Sequence, residues 1–129
     1  MLVAFKSREG IEALNAEMRR LSPRVTGSIL KLRQDAYFQG QVPSKYKLLT
    51  AMAISVAIRC EPCIRAYVEW AVKEGATKEE MIEFLNVAMA MQGCPGEEWS
   101  LKALKAYKEF FEEGAVSTDG DPSCCVVPH

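Results

Sequence analysis

From Leu48 to Ile58 the chain carries its longest apolar stretch, interrupted only by Thr50 and Ser55. A run without charge cannot be left facing water, and this one is too short to cross a bilayer, which takes about 20 residues. It reads as the buried helix of a globular core. Leu48, Leu49, Met52, Ala53, Val56 and Ala57 recur at the three- and four-residue spacing of a helix face. With Pro43-Ser44 in front, this helix is expected from about Ser44 to Ile58 and should be the most buried in the molecule.

The rest of the sequence has to supply partners for that helix, and its signals are also helical. No alternating strand pattern and no Asn-Gly or Asp-Gly hairpin turn occurs. A first helix is expected over about Ser7 to Leu21, with Ile11, Leu14, Met18 and Leu21 on one face. A second is expected over Val25 to Phe38, with Ile29, Leu32 and Ala36 inward and Gly40 closing it. A fourth runs from Pro62 to Glu74. Proline lacks a backbone N–H and suits a first turn. Thr77-Lys78-Glu79-Glu80 is a capping box, the clearest local signal in the chain. It starts a fifth helix carrying Met81, Phe84, Leu85, Ala88 and Met89 inward. Gly93-Cys94-Pro95-Gly96 should break it, and a last helix from Glu97 to Glu112 presents Leu101, Leu104, Tyr107 and Phe111. Met52, Met81, Met89 and Met91 read as core filler, and Trp70 and Trp99 as core or interface residues.

The fold class is therefore all-α, with about six helices. Its 129 residues, 49% hydrophobic and 26% charged, suit one globular domain, residues 1–114, with a flexible tail over 115–129. A net charge of −1 lacks the basic footprint of a nucleic-acid or membrane-surface binder, so neither is an expected partner. The opening MLVAFKSREG has no apolar leader, so the expected location is cytoplasmic.

In a reducing compartment a CxxC is redox-active or metal-binding more often than structural. Cys60-Glu61-Pro62-Cys63 is such a motif. One helical turn brings the two sulfurs within reach of a disulfide. A cysteine in the first turn also faces free N–H groups and the positive end of the helix dipole, which favour the thiolate. Cys63 is best placed for this, with Cys60 as its partner. Taken alone, the motif leaves redox work, buried inert thiols and metal binding open. Zinc would need Cys94 and a tail thiol as well, because no second CxxC or HxxxH is present. Cys94 reads as a small buried residue. Cys124, Cys125 and His129 lie in the tail.

The stretch KYKLLTAMAISVAIRCEPCI, residues 45–64, followed by a short helix, by EGATKEEM and by an Ala/Met-rich helix, resembles the carboxymuconolactone decarboxylase / AhpD-like family. The likeness covers about Val25 to Phe111. It implies an all-helical fold that assembles into homo-oligomers, trimers or hexamers, and implies no organic cofactor. Members with a CxxC are thiol-dependent peroxidases or disulfide reductases that serve antioxidant defence, with a peroxiredoxin or another thiol-redox partner. The carry-over makes Cys60 and Cys63 the catalytic residues. The decarboxylase branch lacks the CxxC, which disfavours that activity here. The family motif also carries a Glu twelve residues before the first Cys and a His four residues after the second. Here those positions hold Leu48 and Tyr67. A phenol, with an ordinary pKa near about 10, is a hydrogen-bond donor but a poor base at neutral pH. Tyr67, Arg59 and Glu61 are the candidate accessory residues. Glu61 should oppose a thiolate, and Arg59 or Arg65 should offset it. The alternative expectation is a non-catalytic oligomeric scaffold that keeps the fold.

Overall fold

The structure is a computed structural model and describes residues 8–112. Among these are six α-helices and no strand: α1 (Arg8–Leu21), α2 (Pro23–Phe38), α3 (Ser44–Ala57), α4 (Glu61–Lys73), α5 (Lys78–Gln92) and α6 (Cys94–Tyr107). A π-helical turn, Lys108–Glu112, continues α6. The tail and its Cys124, Cys125 and His129 lie outside the described residues.

Helix α3 sits where its apolar run requires. Leu48, Leu49, Met52 and Val56 are fully buried, between α4 on one side and α5 on the other. Helix α6 packs on α4 and α5 and closes the group, so that α4 and α5 face each other diagonally across α3 and α6. The capping box forms as expected. Thr77 Oγ1 accepts from the Glu80 N–H at 3.1 Å, and the Thr77 N–H donates to Glu80 Oε1 at 3.0 Å. Lys45 of α3 reaches the same carboxylate at 3.1 Å and ties the starts of α3 and α5 together.

Several sequence expectations are corrected. The Gly93–Gly96 segment breaks α5 but does not delay α6, which begins at Cys94 itself. Pro95 fits a first turn, where no N–H is needed. Cys94 is exposed, not buried. The inward face of α6 is also different from the expected one. Its buried residues are Gly96, Ser100, Ala103 and Ala106, with Tyr107 packed against the core as expected, while Leu101 points outward. Small residues win because α5 and α6 approach closely. A Cβ on Gly96 would stand 2.9 Å from the Ala88 carbonyl oxygen and 3.0 Å from Met89 Cα. Met91, expected as core filler, is 82% exposed. Ile54 and Ile58 of the apolar run face outward too, so α3 is not covered all round.

The largest departure lies in α2. It starts at Pro23, and none of its residues is buried. Ile29 and Leu32, expected inward, are exposed, as are Leu14, Met18, Leu21 and Val25 nearby. Periodicity reports an apolar face but not what covers it. Within one chain α1 and α2 are anchored to the core through the end of α2, where Tyr37 and Phe38 pack against it.

Candidate functional site: the Cys60–Cys63 dithiol at the α3–α4 junction

The junction is built by two backbone devices. Helix α3 ends with Ile58 as C-cap and Arg59 in the left-handed region, φ 57°. The Arg59 N–H bonds to the Val56 carbonyl at 3.2 Å and the Cys60 N–H to the Ser55 carbonyl at 3.0 Å. This pair of bonds is the Schellman motif, which satisfies the last carbonyls of a helix. Cys60 is at once the N-cap of α4, and its carbonyl accepts from the Ile64 N–H at 2.9 Å. Its main chain is thus held by the helix before it and the helix after it. Pro62 sits in the first turn of α4, where its missing N–H leaves nothing unsatisfied.

Cys63 falls one turn on, and the two cysteines form a disulfide, with Cα atoms 5.2 Å apart. Their exposures differ. Cys63 is 9% exposed within the core cluster, whereas Cys60 is only partly buried against it. On reduction, a sulfur at Cys63 would see the first-turn N–H groups of α4 and the positive end of its dipole.

The charged neighbours are paired across α6 and the turn that follows. Glu61 meets Lys102 Nζ at 3.4 Å, and that ammonium lies 4.9 Å from the centroid of the Trp99 ring. Arg65 holds Glu109 at 2.7 Å in a largely covered ion pair and stacks over Phe110 at 5.0 Å. Glu61 therefore brings its counter-charge with it, which weakens the expected opposition to a thiolate. Arg65 is committed to the contact between α4 and the turn that follows α6. Arg59 is exposed, directly before Cys60.

The two positions where the family motif would carry a Glu and a His are both buried. Leu48 is 0% exposed and is a core residue. Tyr67 lies on α4 one turn beyond Cys63. Its hydroxyl shares a 2.8 Å hydrogen bond with the hydroxyl of Tyr37, in which either oxygen can donate. Edge-on contacts with Tyr37 at 5.5 Å and Trp70 at 5.6 Å hold the Tyr67 ring. Sequence reasoning missed Tyr37 and Lys102. Neither carries a local motif, and each lies at least thirty residues from its partner, so only the fold joins them.

Among the described residues no helix is long and apolar enough to cross a membrane.

Comparison with known proteins bears on this architecture. A protein of Cupriavidus necator described as uncharacterized is 34% identical over 65 residues, 50% of this chain and 58% of that one. An uncharacterized protein of a cox locus in Paracoccus denitrificans is 29% identical over 93 residues, 72% of this chain and 84% of its own. The match thus spans little more than half of the first relative. A crystal structure of a carboxymuconolactone decarboxylase family protein from Legionella pneumophila, in its apo form, superposes with a TM-score of 0.75 at 35% identity. It covers 80% of this chain and 92% of the Legionella protein. The profile of the carboxymuconolactone decarboxylase family matches residues 23–106, from the first residue of α2 to the last turn of α6. With most of the described helices inside that match, the chain belongs to the carboxymuconolactone decarboxylase family.

Proposed function

We propose that the protein is a thiol-dependent peroxidase or disulfide reductase of AhpD-like type, with Cys60 and Cys63 as its catalytic dithiol. The observation that carries this reading is the disulfide at the head of α4 between Cys63, a residue buried in the core, and Cys60, a residue only partly buried. A bulky thiol donor reaches Cys60 first. Its thiolate sulfur bonds to Cys60 Sγ, the Cys60–Cys63 bond breaks, and Cys63 leaves as the thiolate that the helix start favours. A second donor thiolate then displaces Cys60 and leaves as the oxidised donor, and the dithiol is ready for its oxidant. Arg59, exposed beside Cys60, adds a cation where the partner docks, and the Glu61–Lys102 pair keeps the local charge near neutral. The donor is a thiol-redox protein, with a peroxiredoxin system as the natural setting.

Redox titration in a glutathione or dithiothreitol series, read by mass spectrometry after alkylation, tests this. A reversible disulfide poised at about −270 to −200 mV, with turnover lost in Cys63→Ser, is the expected result. Unchanged turnover in that variant would sink it.

A second reading is favoured by the bare apolar side chains of α1 and α2, with Leu32 at 65% exposure. On this reading the protein is a homo-oligomeric scaffold, trimeric or hexameric, that keeps the family fold without catalysis. Here a second copy covers Val25, Ile29 and Leu32. Sedimentation of a monomer at micromolar concentration would dismiss the oligomer, and rapid alkylation of the reduced dithiol would dismiss the inert thiols.

A further inference from the structure

We propose that the tip of the α1–α2 hairpin, Met18 to Val25, docks on an anionic lipid surface. The inference is independent of the dithiol, and it names a partner that the net charge of the chain argued against.

Charge is segregated along the sequence. Residues 18–34 hold five basic side chains and no acidic one, in a chain whose net charge is −1. The rest of the chain is therefore acidic, and the average conceals a cationic stretch. Lys31 is paired with Asp35 at 2.9 Å. Arg19, Arg20 and Arg24 are exposed and hold no ion pair among the described residues. Glu17, one residue before the stretch, offsets at most one of them.

Apolar side chains are interleaved with these cations. Leu14, Met18 and Leu21 share one stripe of α1, and their exposure rises toward the tip from 44% through 55% to 72%. Val25, in the first turn of α2, is exposed beside Arg24. A membrane interface satisfies both kinds of side chain at once. The apolar atoms enter the acyl boundary, and the guanidinium groups stay with the lipid phosphates. The backbone of the tip suits an apolar layer as well. The Ser22 N–H bonds to the Met18 carbonyl at 2.8 Å and the Thr26 N–H to the Ser22 carbonyl at 3.1 Å. Pro23 has no N–H, so the turn carries few bare donors into lipid.

The fold holds the tip away from the core. Along α2 it stands about 20 Å from Tyr37, where that helix packs on the core. Other occupants fit the tip less well. Two copies meeting tip to tip would set the arginines of one against those of the other, and like charges in contact are costly. A nucleic acid offers phosphates to the arginines but no apolar layer to Leu21. Met18 to Leu21 also precede residue 23, where the family match begins, so the family profile does not describe them.

Flotation of the full-length protein with vesicles tests this. Vesicles of equal parts phosphatidylglycerol and phosphatidylcholine are compared with vesicles of phosphatidylcholine alone. The wild type is expected to float with the anionic vesicles at about 0.1 M salt. Most of that binding should be lost at about 1 M, where the screening length falls to about 3 Å. Arg19→Gln, Arg20→Gln and Arg24→Gln together are expected to weaken binding about 100-fold, as three basic residues near a charged surface. Leu21→Ser should weaken it about tenfold through lost apolar burial. All four positions are exposed, so melting temperature and the redox titration of the dithiol should match the wild type. No flotation with anionic vesicles, or equal flotation with both kinds, overturns the proposal. So does a dependence on the arginines without one on Leu21, which is charge attraction alone. Wild-type oligomers that Leu21→Ser splits into monomers, without vesicle binding, overturn it and give the face to a second copy.

Discussion

Arg59 at the end of α3 occupies the position that Gly75 occupies at the end of α4. Each follows a C-cap, each has positive φ (57° and 99°), and each begins the same pair of bonds. Gly75 donates to the Val72 carbonyl and Ala76 to that of Ala71, as Arg59 does to Val56 and Cys60 to Ser55. Glycine suits the position because it has no Cβ to strain, and an arginine there costs about 1 kcal/mol. Strain next to the dithiol is retained where glycine would relax it. Arg59→Gly is expected to raise stability by about 1 kcal/mol, a few degrees in melting temperature. It should also slow reaction of Cys60 with an anionic disulfide probe, because the nearby cation is lost. A lower melting temperature would show that the guanidinium makes a stabilising contact larger than the strain.

Leu48 is a packed core residue, so an acid introduced there is buried. Leu48→Glu puts a carboxylate into a position with no exposure, and burial raises a carboxyl pKa. Destabilisation of about 3 kcal/mol or more is expected at pH 7, from lost packing and burial of a polar group. The sign of the pH dependence follows. A raised folded pKa makes the penalty grow as pH rises above the unfolded value of about 4.3 and shrink below it. Thermal melts across that range test this. A penalty independent of pH would mean that the new carboxyl escapes to solvent.

The apolar face of α3 and the capping box at Thr77 were both legible, because each depends on residues within one or two turns of one another. The dithiol was legible for the same reason. Its surroundings were not. The Tyr37–Tyr67 bond and the Glu61–Lys102 and Arg65–Glu109 pairs join residues from different helices, and charge or aromaticity alone does not say which will meet. Helix α6 was misread because large apolar residues look like a core face. Close approach at Gly96 gives that face to Ser100, Ala103 and Ala106 instead. In α1 and α2 the pattern was seen correctly but placed inside, where the single chain leaves it exposed.

Gly96→Ala sets two effects against each other. Alanine favours a helix over glycine by about 1 kcal/mol. Its methyl, however, would meet backbone atoms of Ala88 and Met89 and the Gln92 Cβ at 2.9–3.0 Å. Backbone cannot swing away as a side-chain tip can, and overpacking costs about 1–3 kcal/mol. The clash should win because α5 must shift to relieve it, giving net destabilisation in chemical denaturation. A stabilised variant would mean that α5 and α6 separate at little expense.

Glu80 links the capping box to Lys45, and its charge gives the start of α5 a pH signature. The Thr77 backbone N–H, then the Lys45 ammonium, hold the Glu80 carboxyl below its usual range. Lys45 is held above its own usual range, chiefly by its hydrogen bond to Glu80. A lowered carboxyl pKa contributes stability that is present above the unfolded value and is lost as pH falls through the folded one. A raised ammonium pKa contributes stability that is present below its unfolded value and is lost as pH rises through the folded one. Both contributions are in place at neutral pH. Glu80→Gln is therefore expected to melt below the wild type at about pH 7, with the gap closing as pH drops to about 3. Thr77→Ala removes the hydroxyl acceptor and should cost about 1 kcal/mol at either pH, because that bond involves no titrating group. A gap for Glu80→Gln that stays constant with pH would assign its effect to helix capping geometry and not to charge.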